Sequence, residues 1–236
     1  YQGIFVVGTF VKVNDNIFDV ALVCQGDNIL GVVPKTYLDN SKADAQKRFF
    51  ASGVDYPYES IAINDQIVPF GNIIFVNEDD LVDFGVEIGE DYMAYNPMHE
   101  EMYANGASIV FNLSANVYSL NAYKKLNDKL KAISHKCSAA YVLCSNNSFE
   151  TSSEFLYDNH KIILENGEVL NECCELDVNS NIIYADIDVM KLHYVRSNNS
   201  WIKHAFEMNH LMRDFEYVDY ELEESDNFLF EKNIDL

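Results

Sequence analysis

Between residues 82 and 88 the chain runs through Val82-Asp83-Phe84-Gly85-Val86-Glu87-Ile88 and stops on Gly89-Glu90-Asp91. A short apolar run closed by a glycine and two carboxylates reads as a buried strand with polar chemistry at its carboxyl end. The segment after Asp91 constrains the fold more than any other part of the chain. Strand and helix patterns alternate there: a helix over 97–105 that stops at Gly106, an apolar strand over 107–113, a helix over 121–136 and a buried strand over 139–144. Leu126, Leu130 and Ile133 recur at the spacing of one helix face. Such alternation places the chain in the α/β class. In sheets of that class ligands and catalytic groups gather at the carboxyl ends of strands, which makes the Gly89 corner the first place to look for a site.

The chain before that corner has a different character. Runs over 4–13, 17–24 and 29–33 are separated by Asn14-Asp15-Asn16 and Gly26-Asp27-Asn28, so they predict an antiparallel meander ending at Pro34-Lys35. Residues 39–50 form a polar, partly helical excursion. Residues 67–70 and 73–76 predict a hairpin around Gly71-Asn72. Past the alternating region, 161–164 and 169–172 predict a hairpin over Asn166-Gly167, 182–187 a late strand, 188–195 a helix with an acidic start, and 215–221 an edge strand. The sum is one α/β domain over 1–236 with mixed, partly antiparallel sheets.

Charge narrows the partners. Asp and Glu outnumber Lys and Arg 38 to 16, a net charge of −22 that repels nucleic acid and anionic membrane surfaces, so neither is expected as a partner. Hydrophobic residues make up 48%, enough for a sizeable core and against general disorder. Cys24, Cys137, Cys144, Cys173 and Cys174 show neither zinc-ribbon nor C-x-x-C spacing, which fits a reducing compartment and a cytoplasmic location. The first residues, Tyr1 to Val7, are apolar without a basic leader and too short to span a bilayer. They read as a strand entered from upstream, so the first elements of the domain are expected to be missing.

Several residues carry candidate chemistry, each with a plain alternative. Lys35, just past a buried strand and a proline, either points into a cleft to stabilise an oxyanion or is a solvated turn lysine. Glu87, Glu90 and Asp91 either do acid–base work or cap the next element. The block Glu150-Thr151-Ser152-Ser153-Glu154 either binds a polar ligand, through Glu150 and Ser152, or is a loop. Cys144 is the one cysteine on a strand that could run toward a cleft, but its setting is apolar. The six histidines have no metal-ligand spacing, and no phosphate loop, dinucleotide fingerprint or G-x-S-x-G elbow occurs, so neither a metal nor a cofactor is expected.

These blocks also carry a resemblance. Leu30-Gly31-Val32-Val33-Pro34-Lys35-Thr36-Tyr37-Leu38 resembles the lysine motif of the nitrilase (carbon-nitrogen hydrolase) superfamily, and within it the glutaminase (amidase) domain of glutamine-dependent NAD synthetases. Arg48-Phe49-Phe50-Ala51-Ser52-Gly53 continues the match. Phe84-Gly85-Val86-Glu87-Ile88-Gly89-Glu90-Asp91 is similar to the nucleophile block, and Gly106 to Ser114 to the strand after it. Cys137 to Val142, Glu150 to Ser153 and Ile163 to Gly167 come next, in order. The resemblance implies a four-layer α-β-β-α sandwich with mixed sheets. It also implies a Glu-Lys-Cys triad in which a thiolate attacks the glutamine side-chain amide and ammonia passes to a synthetase domain.

The departures from the motif shape the functional expectation. Gly89 stands at the nucleophilic cysteine, and Gln46 at a loop carboxylate. Ser41 replaces a usual tyrosine, and Asn116 and Ala122 stand where a serine and an arginine often hold substrate. The resemblance places the base glutamate upstream of the meander, before this chain begins, and the synthetase domain that follows in such enzymes is expected to be absent. Lys35 keeps the oxyanion position, with Glu90, Glu150 and Ser152 as remaining ligand contacts. The expectation is a catalytically silent domain kept for structure or assembly, as a homo-oligomer or in a larger complex, with a glutamine-like compound as its vestigial ligand. Two alternatives stay open: an inactivated fragment of a working glutamine-hydrolysing NAD synthetase, and a non-catalytic small-molecule binding module.

Overall fold

A computed structural model describes residues 3–39, 46–55, 59–77, 82–147, 155–173, 182–207 and 213–222. The predicted meander is present: β1 (Ile4–Val13), β2 (Asn16–Gln25) and β3 (Asn28–Pro34) form a three-stranded antiparallel sheet. The chain then makes a tight hairpin, β4 (Ser60–Ile63) with β5 (Gln66–Pro69). This corrects the predicted hairpin over Gly71-Asn72. The turn is instead Asn64-Asp65, and both residues have positive φ (46° and 64°), the conformation that a two-residue type I′ connection requires. The strand after Gly71 goes elsewhere, into the large sheet.

That sheet has seven strands in the order β11-β10-β9-β8-β7-β6-β12. They are β6 (Ile73–Asn77), β7 (Phe84–Ile88), β8 (Ile109–Ser114), β9 (Ala140–Ser145), β10 (Lys161–Glu165), β11 (Glu168–Cys173) and β12 (Glu216–Tyr220). The β7, β8 and β9 strands run parallel, as the helical crossovers α1 (Met98–Ala104) and α2 (Ala122–Cys137) demand. The β9–β10–β11 pairings are antiparallel, and β12 adds in parallel at the far edge. Residues 182–188 form no strand, against expectation. Ile182 and Tyr184 are 82% and 83% exposed, and the Asn171 amide donates to the Tyr184 carbonyl, tying the segment to β11. After them come α3 (Val189–Asn198), capped by Asp188 accepting from Lys191 N, and α4 (Ser200–Glu207).

The layers follow from which face each residue shows. On one side of the large sheet, Met102, Tyr103, Leu130 and Ile133 of α1 and α2 pack on Val110, Tyr141, Leu143 and Leu164. On the other side, Ala21, Val23 and Val33 of the meander pack on Phe75, Phe84, Val86 and Ile109. The alternate meander residues Phe18, Val20 and Val32 face away, against Ile61, Val68 and Phe70. Each such large side chain contributes about 1.5–3 kcal/mol when fully buried. The result is the expected mixed α/β class with two sheets face to face. Among the described residues, the outer side of the meander carries the β4–β5 hairpin. Two glycines let the layers close: a Cβ on Gly31 would lie 2.7 Å from Ile73 Cδ1, and one on Gly85 2.5 Å from Met102 Sδ. No helix is long and apolar enough to cross a membrane among the described residues.

Candidate functional site

The corner forms where β7 ends and the chain leaves β3. Glu87 and Ile88 point to opposite faces of the sheet, as successive strand residues must. Gly89 then adopts φ +56° and opens a short 3₁₀ turn, Gly89–Met93. Across from it Lys35 follows the buried end of β3. It is not the solvated turn lysine of the alternative reading: it is 1% exposed. Its Nζ donates to the Ile88 carbonyl at 2.8 Å and stands 3.6 Å from Glu90 Oε2 and 3.8 Å from Asp91 Oδ1. A Cβ built on Gly89 would lie 2.6 Å from that same Nζ. The ammonium therefore fills the space into which a side chain at this position would project.

The three carboxylates that adjoin in sequence do three different things. Asp91 is buried and accepts from the backbone N–H groups of Thr36 and Tyr37, both at 3.0 Å, tying the loop after Lys35 to the end of β7. Burial pushes its carboxyl up to about 6, against the pull of Lys35 and the two N–H donors. Glu90 keeps 46% of its side chain exposed and is the carboxylate that a ligand could reach. Glu87 lies on the helix side, fully buried. His99 Nδ1 stands 3.2 and 3.3 Å from its two oxygens, and the Tyr141 hydroxyl donates to it. Burial works against its charge, but His99, Tyr141 and Asn112 outweigh that and hold the carboxyl below its ordinary value. Asn112 in turn donates to the Gly89 carbonyl at 2.9 Å and accepts from Ser114 Oγ at 2.8 Å. A continuous polar chain from α1 through the sheet thus fixes the backbone of the corner.

Two cavities adjoin here. One, of about 200 Å³, is lined by Asp19, Lys35, Gln46, Gly89, Glu90 and Ser114. The other, of about 450 Å³, shares Glu90 and adds Asn116, Ala122, Lys125, Lys129 and Asp158. Lys35, Gly89 and Glu90 are therefore brought together as the sequence suggested. Gln46 lines the smaller cavity and Asn116 the larger, while Glu150 and Ser152 lie outside the described residues. Cys144 lines neither cavity, and burial raises its thiol above the ordinary range, so it has no role at this corner. Among the described residues no group of three His, Cys, Asp or Glu side chains could hold a metal. Sequence reasoning missed Asp19, Asn112, Ser114 and the His99–Glu87–Tyr141 cluster. The one available signal was a glutamate in the middle of an apolar strand, which needs a buried partner.

No family model matches the chain. It is 28% identical over 195 residues to the glutamine-dependent NAD(+) synthetase of Mycobacterium leprae, a match that covers 82% of this chain and 28% of that protein. The crystal structure of a glutamine-dependent NAD(+) synthetase from Cytophaga hutchinsonii superposes with a TM-score of 0.63 at 20% identity, covering 74% of this chain and 28% of that one. A carbon-nitrogen hydrolase from Helicobacter pylori G27 superposes with a TM-score of 0.66 at 18% identity, covering 90% of this chain and 72% of the other. The chain thus spans less than a third of the length of the curated relative it matches. It has the fold of the nitrilase, or carbon-nitrogen hydrolase, superfamily and is related to the glutamine-dependent NAD(+) synthetases.

Proposed function

We propose that this chain derives from the ammonia-supplying glutaminase part of NAD synthetases, does not hydrolyse glutamine, and serves as a structural or assembly element. The observation that carries the reading is the Lys35 ammonium standing where a side chain at position 89 would project. Covalent amide hydrolysis needs an attacking atom at the strand end, and glycine supplies none. The lysine that would steady an oxyanion already donates to the Ile88 carbonyl and stands between Glu90 and Asp91. Exposed apolar side chains on α3 and α4, among them Met190, Tyr194 and Trp201, support association with copies of itself or with a larger complex. The thiols of Cys24, Cys137 and Cys144, free among the described residues, support work in the cytoplasm. The deciding assay is ammonia release from glutamine by the purified chain. Release at the buffer rate is expected, and turnover above it overturns the reading.

A second reading has its own observation. The cavity of about 450 Å³ beside the corner presents Lys125 and Lys129 together with Glu90 and Asp158. That balance of charges suits a small zwitterion such as an amino acid, held without chemistry. Thermal-shift measurements with glutamine, glutamate and asparagine test it. A rise in melting temperature that Lys125→Ala or Glu90→Gln abolishes favours binding, and no shift with any of them removes it.

A further inference from the structure

At the end of the large sheet where β8 and β9 begin, away from the Gly89 corner, a cavity of about 170 Å³ lies among α1, α2, α3 and α4. Arg196 of α3 lines it and is only 7% exposed. Its Nη1 donates to the Ala107 carbonyl, and its Nη2 to the Tyr103 carbonyl at 2.6 Å. A guanidinium has five N–H groups, and the others find no acceptor among the described residues. Nor does Arg196 form an ion pair among them. The C-terminus of α1, to which Tyr103 belongs, offsets only about half a charge. Burial works against the rest and lowers the pKa of the guanidinium.

The carboxylate that lines the cavity does not neutralise Arg196. It is Glu100, and Lys136 already holds it at 2.6 Å. Both side chains of that pair are largely exposed, so the pair is weak and Lys136 is free to turn toward an incoming anion. The other walls are apolar. Tyr103 has its hydroxyl spent on the Ala140 carbonyl. Burial pushes the Cys137 thiol up to about 12, so it stays neutral. Ile202 is partly buried, and Trp201 of the same helix is 82% exposed. An apolar cavity of about 150 Å³ holds a benzene ring, so this one has room for a single ring.

We propose that this cavity binds a small aromatic carboxylate, with its carboxylate on the free N–H groups of Arg196 and its ring against Tyr103, Ile202 and Trp201. Apolar walls around one fixed charged group are the usual make-up of a small-molecule site. The planar fork of an arginine matches a carboxylate in charge and in geometry. The inference is independent of whether the Gly89 corner binds or turns over anything.

The probe is benzoate, read through Trp201, the one tryptophan of the chain. Titrated into the full protein, benzoate is expected to change the indole emission saturably, with half-saturation at about 1 mM or below, and to raise the melting temperature. Benzyl alcohol, a ring of the same size without the charge, should bind about tenfold more weakly or worse. Arg196→Met removes the fork together with its contacts to Tyr103 and Ala107, so a second variant guards against misfolding. Ile202→Glu, at a partly exposed position, places a carboxylate in the same cavity and should abolish benzoate binding in a folded chain. Equal binding of benzoate and benzyl alcohol overturns the proposal, as does undiminished benzoate binding by folded Ile202→Glu. So does the absence of any response in emission and melting temperature. A response seen only where the mass doubles also overturns it, since the site would then lie between two copies.

Discussion

The Nζ of Lys35 lies 2.6 Å from the point at which a Cβ on Gly89 would stand. Any side chain there must push the lysine aside and also accept φ +56°, a conformation that costs an L-residue roughly 1–2 kcal/mol. Gly89→Cys is therefore expected to lower stability by about 1–2 kcal/mol in urea unfolding, since the lysine end is flexible and its shift adds little. No ammonia should be released from glutamine by the variant. A Gly89→Cys protein as stable as the parent that also turns over glutamine would show the corner to be a working site lacking only its thiol.

Glu87 makes a second prediction because it is an ionised group in the core. Its carboxyl is held below the ordinary value, so its contribution is present at neutral pH and is lost as pH falls below about 4.5. Tyr141→Phe removes one donor to that carboxylate and should cost about 1–3 kcal/mol at pH 7. His99→Leu leaves the charge without its main partner and should cost more, about 3–5 kcal/mol. The gap between parent and either variant should narrow toward pH 4 as Glu87 takes up a proton. Unfolding curves that still run parallel well below pH 4.5 would rule out the ionised Glu87 and its partners as a source of stability.

Much of the framework was legible from local signals, because each had one structural solution. Asn14-Asp15 and Gly26-Asp27 turn the chain back on itself, and β1 to β3 pair in sequence order. The spacing of Leu126, Leu130 and Ile133 marked the face of α2 that covers the sheet. The failures are contests between local signals of similar strength. Gly71-Asn72 and Asn64-Asp65 are both pairs that can turn a hairpin, and in the fold it is Asn64-Asp65 that holds the two positive φ angles of the turn. Residues 182–187 have a strand composition, but composition supplies no partner strand, and in the fold they stay outside the ladders. At the site, the residue types at 35, 89 and 90 could be seen in sequence. The ammonium in the place of a side chain could not, because it depends on how β3 lies against β7. The same holds for Asn112 reaching the Gly89 carbonyl, a contact between neighbouring strands.

Gly85 tests the packing that sets the height of the corner. A Cβ there would stand 2.5 Å from Met102 Sδ and 3.0 Å from its Cγ, on the α1 face of β7. Gly85→Ala should cost about 1–3 kcal/mol through displacement of that side chain. Met102→Ala should cost about 2–5 kcal/mol alone. Since the added methyl enters the space that the truncation leaves, the double variant should be more stable than the sum by about 1 kcal/mol or more. Additive losses in a urea-unfolding cycle would mean that the two layers do not touch at this point.

Asp91 gives the corner a pH dependence of the opposite sign to that of Glu87. Its carboxyl is pushed up to about 6 from an ordinary 3.8, chiefly by burial. A raised acid binds its proton more tightly in the folded chain than in the unfolded one. The stability it contributes is thus fully present below pH 4 and lost as pH rises through about 6, a swing on the order of 3 kcal/mol. Asp91→Asn removes the titration. It also turns one N–H donor of the amide against Thr36 N or Tyr37 N, so the variant should be weaker than the parent by about 1–3 kcal/mol. The informative quantity is the slope. Between pH 4 and pH 6 the variant should lose less stability than the parent. Equal slopes would place the Asp91 carboxylate under the control of Lys35 and its two N–H donors, with burial the lesser influence.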